Sequence, residues 1–265
     1  MINYSKLLDG KYAVVTCGDS PVGCAIVQLF AEHGATVAVG AKDARIASKL
    51  IPMIGGMSPG SFFWPCDLAD AASVEAFCAE VSKRRPLVNV LVNNPWMESD
   101  KALEDADDDY DALILQVYQR SIVQTLRAFW LAMLEAGGCS VVNISSSTVF
   151  KAVQGSFMHT VANGAVGGMT RVPAVEGGHH EVRVNEILAA FGANRAAPSQ
   201  APLNDGLTRA WENAFSAADS RAFGGFRPDV AGIARAALFL ASDMASYISG
   251  MSLSVSGVAQ RTRLA

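Results

Sequence analysis

The chain has 265 residues, 51% hydrophobic and 17% charged, with a formal net charge of −4. These values support one globular domain with a large core and argue against a nucleic-acid partner, which demands a basic patch. No basic segment precedes an apolar run at the N-terminus, and no apolar stretch approaches the roughly 18 residues of a membrane span, so neither a signal peptide nor a transmembrane helix is expected.

Tyr12–Thr16 (YAVVT) is a short apolar run that reads as a central parallel strand. A tight turn, Thr16-Cys17-Gly18-Asp19-Ser20-Pro21-Val22-Gly23, leads into a helix with Ile26, Val27, Leu29 and Phe30 at helical spacing and Gly34 closing it. Ser20 as N-cap with Pro21 at the first helical position is a sound helix start. Thr36–Gly40 reads as the second strand and Phe62–Pro65 as the third; Asp67 offers an N-cap for a helix over Ala71–Arg84. Val88–Val92 is the fourth strand. A long helix over Tyr110–Ala136 is expected to turn Leu113, Val117, Leu126, Phe129 and Met133 inward, and the acidic run Glu104–Asp109 before it reads as an exposed approach. Ser140–Ser147 is the fifth strand, followed by a helix from Phe157 that Pro173 should kink or end. Glu181–Ile187 is the sixth strand. A polar, alanine-rich stretch over Ala196–Arg227, with a helical piece near Leu207–Phe215, forms a lid; a helix to Ser242 and a last strand within Tyr247–Gly257 complete the chain. Strands alternating with helices predict a Rossmann-type doubly wound parallel sheet, three layers α/β/α, in one domain over 1–265 with residues 196–227 as a small lid.

The five cysteines (Cys17, Cys24, Cys66, Cys78, Cys139) are odd in number and lack C-x-x-C spacing, which reads as reduced, buried thiols of a cytoplasmic protein. His179-His180 adjoin in a Gly-rich loop, where neighbouring side chains diverge, so no metal site is expected.

The segments in order resemble the short-chain dehydrogenase/reductase family. Thr16–Gly23 is similar to its T-G-x-x-x-G-x-G turn, Asp67 stands at its adenine-contacting aspartate, Asn93-Asn94-Pro95-Trp96 at N-N-A-G, and Ser140–Ser147 at I-V-N-I-S-S. His159 to Arg171 is similar to Y-x-x-x-K-x-A-V-x-G-L-T-R; the separation from Ser146 to His159, 13 residues, is the family's. The resemblance implies a nicotinamide-dependent fold and a serine–tyrosine–lysine–asparagine mechanism, but the chain departs from it at most of those positions. Cys17 and Pro21 replace the first two glycines of the turn, leaving Thr16, Gly18, Gly23, Asp67 and Asn93 as remnants of the nucleotide site. His159 and Asn163 occupy the tyrosine and lysine positions, Val117 the asparagine position, and only Ser146 survives of the four. Pro95 and Trp96 put bulk where two small residues line the nicotinamide channel, Asn194 stands at the threonine that would meet the carboxamide, and Ala189-Ala190 replace P-G. After the second strand, Ala41-Lys42 replaces the acidic residue that would grip a ribose; Lys42 would suit a 2′-phosphate, but a solvated loop lysine is the preferred reading.

Pro21 lacks the N–H that helix-start anion binding uses. These losses predict weak or no NAD(P) binding and a non-catalytic subunit that assembles with an active NAD-dependent paralogue, in a heterotetramer serving acyl-CoA or aromatic compound degradation. The helices over Tyr110–Ala136 and His159–Glu176, the latter with a small-residue face of Gly164, Ala165, Gly167 and Gly168, correspond to the family's dimer bundle and imply self-association as well. Two alternatives are a cofactor-independent dehydratase or hydrolase using Ser146 and His159, and a ligand sensor using the vacated cleft.

Overall fold

A computed structural model describes residues 5–97, 101–150, 155–189 and 230–256. Seven parallel strands form one sheet in the order β3-β2-β1-β4-β5-β6-β7: β1 Tyr12–Val15, β2 Thr36–Ala41, β3 Phe62–Pro65, β4 Val90–Asn93, β5 Ser140–Ser146, β6 Arg183–Ala189 and β7 Ser252–Val255. The strand order reverses direction between β1 and β4, which opens a crevice at the carboxyl ends of these two strands, the place where such sheets bind ligands.

Helices cover both faces. On one side α1 (Pro21–Glu32), α2 (Ala44–Gly55) and α8 (Val230–Ala241) pack over Val15, Val37, Val39, Val92, Ile144 and Ile187. On the other, α3 (Ala71–Arg84), α4 (Asp108–Leu115), α5 (Ser121–Ala136), α6 (Phe157–Gly164) and α7 (Val166–Glu176) cover Val14, Leu91, Val141 and Val184. Strand residues therefore alternate between two buried layers, which explains why the strands read as continuous apolar runs.

Several local expectations hold. Ser20 caps α1, its hydroxyl accepting from the Gly23 N–H, with Pro21 as the first helical residue. Gly34 follows α1 at φ +91°, where a side chain would be strained. All five cysteines are buried free thiols. No described helix is long and apolar enough to cross a membrane.

Others are corrected. The cap of α3 is Asp70, which accepts from the Ala72 N–H, not Asp67. The long helix is interrupted: one wide π-type turn, Gln116–Arg120, separates α4 from α5, and Leu113 is exposed. Pro173 does not end its helix; α7 runs through it to Glu176, and the break falls at Ala165, between α6 and α7. Of the expected small-residue face, Gly164 and Gly168 are exposed and Gly167 is buried against its own turn's Arg171. His180 is held through its Nδ1, 2.9 Å from the Leu134 carbonyl. The lid, Ala190, Asn194 and Gly257 lie outside the described residues.

Candidate active site at the carboxyl edge of the sheet

The turn after β1 is held by backbone hydrogen bonds and one left-handed residue. Cys17 adopts φ +46°, the left-handed conformation that a glycine reaches freely and other residues reach at a cost of about 1–2 kcal/mol. The Ser20 N–H donates to the Cys17 carbonyl at 3.0 Å and the Gly18 N–H to the Gly40 carbonyl at 2.9 Å. A Cβ on Gly18 would lie 2.3 Å from Val39 Cγ1, and one on Gly23 would lie 2.1 Å from the Cys17 oxygen. Both remnant glycines are thus required by close approach. The Cys17 thiol turns inward, 3.9 Å from the Trp96 carbonyl, and burial pushes it up to about 12. It is an inert packing group rather than a nucleophile.

Buried amides tie this turn to the next strand. Asn94 donates from its side chain to the Cys17 carbonyl (3.2 Å) and to the Ser20 hydroxyl (2.9 Å), while its N–H reaches the Thr16 hydroxyl (3.0 Å). Asn93 donates to Asn143 (2.9 Å) and accepts from Thr125 (2.6 Å); Asn143 in turn donates to Thr170 (3.0 Å). This web crosses β1, β4, β5 and two helices, and every member is paired, so it stiffens the crevice rather than weakening the core.

At the β2 end, Lys42 is exposed and forms an ion pair with Asp67 at 2.7 Å. The other Asp67 oxygen accepts from the Ala69 N–H. Sequence reasoning left Lys42 either solvated or phosphate-bound; the structure gives it a carboxylate partner. It also missed Asp19, whose Oδ2 accepts from the N–H groups of Lys42 (2.9 Å) and Asp43 (2.6 Å). Burial raises the Asp19 carboxyl above its ordinary value, and those hydrogen bonds pull it back.

At the end of β5, Asn163 does what no lysine could. Its side-chain oxygen accepts from the Ser146 N–H (3.0 Å) and its amide donates to the His159 carbonyl (2.8 Å). One buried side chain thereby locks α6 to β5 and holds the two candidate reactive residues in one frame. The Ser146 hydroxyl oxygen accepts from both the N–H (3.2 Å) and the hydroxyl (3.0 Å) of Thr148. A hydroxyl has two lone pairs and one hydrogen; with the lone pairs engaged, the hydrogen is what Ser146 can offer. Thr148 was not singled out in the sequence, because nothing in a Ser-Ser-Ser-Thr run says which hydroxyl serves which. Val117 sits buried on the wide turn.

His159 packs edge-on to Tyr118, ring centroids 5.0 Å apart at 81°. Burial lowers its imidazole from 6.5 to about 4, so at neutral pH the ring is uncharged. Between these two values the unfolded chain takes up the proton that the folded chain refuses. The contribution of neutral His159 to stability is therefore complete above about pH 6.5 and is lost as pH falls toward 4, by on the order of 2–3 kcal/mol. Urea midpoints measured from pH 4.5 to 7 should fall more steeply with acid in the native chain than in His159→Gln. Asp19, whose shift acts in the opposite direction, is common to both proteins and cancels in that difference.

Residues 18–257 match the family described as enoyl-(acyl carrier protein) reductase. The chain is 32% identical over 260 residues to D-threitol dehydrogenase of Mycolicibacterium smegmatis, covering 97% of this chain and 95% of that protein. The chain belongs to the short-chain dehydrogenase/reductase family. It is also 27% identical over 252 residues to the 3-oxoacyl-(acyl-carrier-protein) reductase of Thermotoga maritima, covering 94% and 98%. A solved structure described as a short chain dehydrogenase/reductase family protein superimposes with a TM-score of 0.76 at 27% identity, covering 95% of this chain and 97% of the other.

This membership corrects the expectation of a non-catalytic subunit with weak or no NAD(P), together with its cofactor-independent and sensor alternatives. The relatives are dehydrogenases and reductases by name, and they match this chain along nearly its whole length. The physical reason the losses misled is visible at the turn. Cys17 adopts a left-handed backbone conformation of the kind glycine favours and buries its side chain against the Trp96 carbonyl, so the substitution adds no exposed side chain to the turn.

Proposed function

We propose that this chain is a short-chain-type oxidoreductase interconverting a secondary alcohol and its ketone, with a nicotinamide dinucleotide along the carboxyl edge of β1, β2 and β4. The residues present fit that group: the Thr16–Gly23 turn and the start of α1 would face its phosphates, and Asp67 with Lys42 its adenosine end. Pro21 leaves one backbone donor fewer at that helix start than a glycine would. When bound, the nicotinamide supplies the hydride acceptor or donor.

The observation that carries the reading is the Ser146 hydroxyl, whose lone pairs are filled by Thr148 and whose hydrogen is left to donate. Such a preset donor holds a substrate oxygen and stabilises the charge that develops on it. His159, tied to the Ser146 backbone through Asn163, brings an uncharged imidazole, which can hydrogen-bond to a carbonyl oxygen without bringing a full charge into the site. Both substrate types named among the relatives, a polyol and a 3-oxoacyl thioester, carry such an oxygen on a secondary carbon.

The test is direct titration of the purified chain with NADH and NADPH, followed by nicotinamide fluorescence and calorimetry, then turnover of a panel of polyols and 3-oxoacyl thioesters. Binding in the micromolar range with turnover of one substrate class supports the reading. Absence of binding at millimolar nucleotide sinks it.

Assembly through the α5 and α6–α7 faces, with a second copy or with a paralogue, accompanies this proposal. Leu131, Val172 and Val175 are exposed there, and open space faces Gly164 and Gly168.

A further inference from the structure

We infer that Tyr118 is the positioning residue of this site, holding the His159 imidazole and the Pro95–Met97 edge of the crevice as one unit. The inference rests on the reading that His159 and this crevice serve the reaction, and it adds a residue that no motif marks.

Three observations converge on this side chain. First, the wide turn Gln116–Arg120 lies in the middle of what would otherwise be one helix, and Tyr118 is its central residue. Such turns cost regular hydrogen bonding and occur often where a side chain must be re-aimed at a functional site. Here the Ser121 N–H reaches back to the Gln116 carbonyl, while the Ser121 hydroxyl donates to the Val117 carbonyl at 2.6 Å. The turn is thus a stabilised element with its own polar partner. Both Val117 and Tyr118 are buried on it.

Second, the phenol grips the strand-end loop at one peptide. Its oxygen accepts from the Met97 N–H at 3.1 Å and its hydrogen lies 3.4 Å, oxygen to oxygen, from the Met97 carbonyl. The preceding residue, Trp96, is in turn the carbonyl partner of Cys17 in the nucleotide turn. Tyr118 therefore connects α4–α5 to the loop that borders the crevice. Third, the same ring presents its face or edge to His159 at 81°, the T-shaped arrangement aromatic pairs prefer. One side chain touches the imidazole by its ring and the crevice wall by its hydroxyl.

The two contacts are separable. Tyr118→Phe keeps the ring against His159 and removes the grip on Met97. Tyr118→Leu removes both while still filling apolar space. Two readouts apply to the full-length protein. One is the NMR titration of the His159 ring in histidine-labelled protein, assigned by its absence in His159→Gln. The other is the dissociation constant for NADH.

In Tyr118→Phe the His159 titration should stay where it is, while NADH binding weakens by roughly threefold to tenfold, the worth of one hydrogen bond. In Tyr118→Leu the His159 midpoint should rise by about one pH unit or more, as water reaches the ring. A purely structural tyrosine would lower the melting temperature and move neither readout. A Leu variant that folds with an unmoved His159 titration overturns the inference, as does a Phe variant binding NADH as tightly as the native chain. If the native chain binds no nucleotide, the proposed function fails, and the His159 titration alone then decides the role of Tyr118. Should the Leu variant not fold, Tyr118→Met in the same titration takes its place with the same two outcomes.

Discussion

Replacing Ser146 by Ala should lower kcat/KM by about 10²–10³ in a nicotinamide absorbance assay, because it deletes the hydroxyl hydrogen proposed to hold the substrate oxygen. The loss should fall on kcat rather than KM, since the donor matters most as charge develops on the substrate oxygen. The same change orphans the Thr148 N–H, which Ser146 now accepts at 3.2 Å, and should cost about 1–2 kcal/mol in a urea titration. Thr148→Val separates these effects. It removes one of the two donors that fix the Ser146 hydroxyl and leaves the hydroxyl itself. Its kcat should fall by a smaller factor, on the order of tenfold, because the donor is present but no longer preset. Full activity in Ser146→Ala would show that the substrate oxygen is held elsewhere.

Gly23→Ala should be the most damaging single methyl in the described chain. The new Cβ would meet the Cys17 oxygen at 2.1 Å, the Gly18 Cα at 2.7 Å and the Cys17 carbonyl carbon at 2.9 Å. All three are backbone, so no rotamer change relieves the clash and the turn itself must open. Overpacking of this kind costs about 3 kcal/mol or more, and the opened turn should lose its fit to a dinucleotide at the same time. The control is Gly55→Ala, the last residue of α2, where nothing lies within 4 Å of the added carbon. There the substitution should stabilise by about 0.5–1 kcal/mol through helix propensity alone. Urea midpoints of the two variants moving in opposite directions would establish that fit at the turn, not glycine content, sets the cost. Equal midpoints would contradict it.

How far the sequence could be read differs by element. Ser20 and Pro21 at the start of α1 were legible because capping is local: one hydroxyl and one N–H three residues apart. The strands were legible because both faces of a parallel sheet are buried. The wide turn at Gln116–Arg120 was not, since an inserted residue leaves the apolar spacing on either side helical. Asp67 read as a cap because its type and place suited one, yet Asp70 lies in the position from which an oxygen reaches the Ala72 N–H. Pro173 read as a kink or an end because the ring usually makes one. It is tolerated inside α7, and the chain breaks instead at Ala165, where no proline or charge signals it.

The sequence by itself determined the fold class, the succession of strands and helices along the chain and the turn that borders the crevice. Periodicity and caps act between residues a few positions apart, and parallel strands joined by helices have few ways to pack. It also determined which side chains had replaced which. What those replacements do was decided only in three dimensions. Cys17 turns its thiol inward, Asn163 joins β5 to α6, Thr148 presets Ser146, and Tyr118 leans on His159. Each of these depends on the direction of a side chain across a gap between elements distant in the chain, and direction is a property that residue type and spacing do not carry.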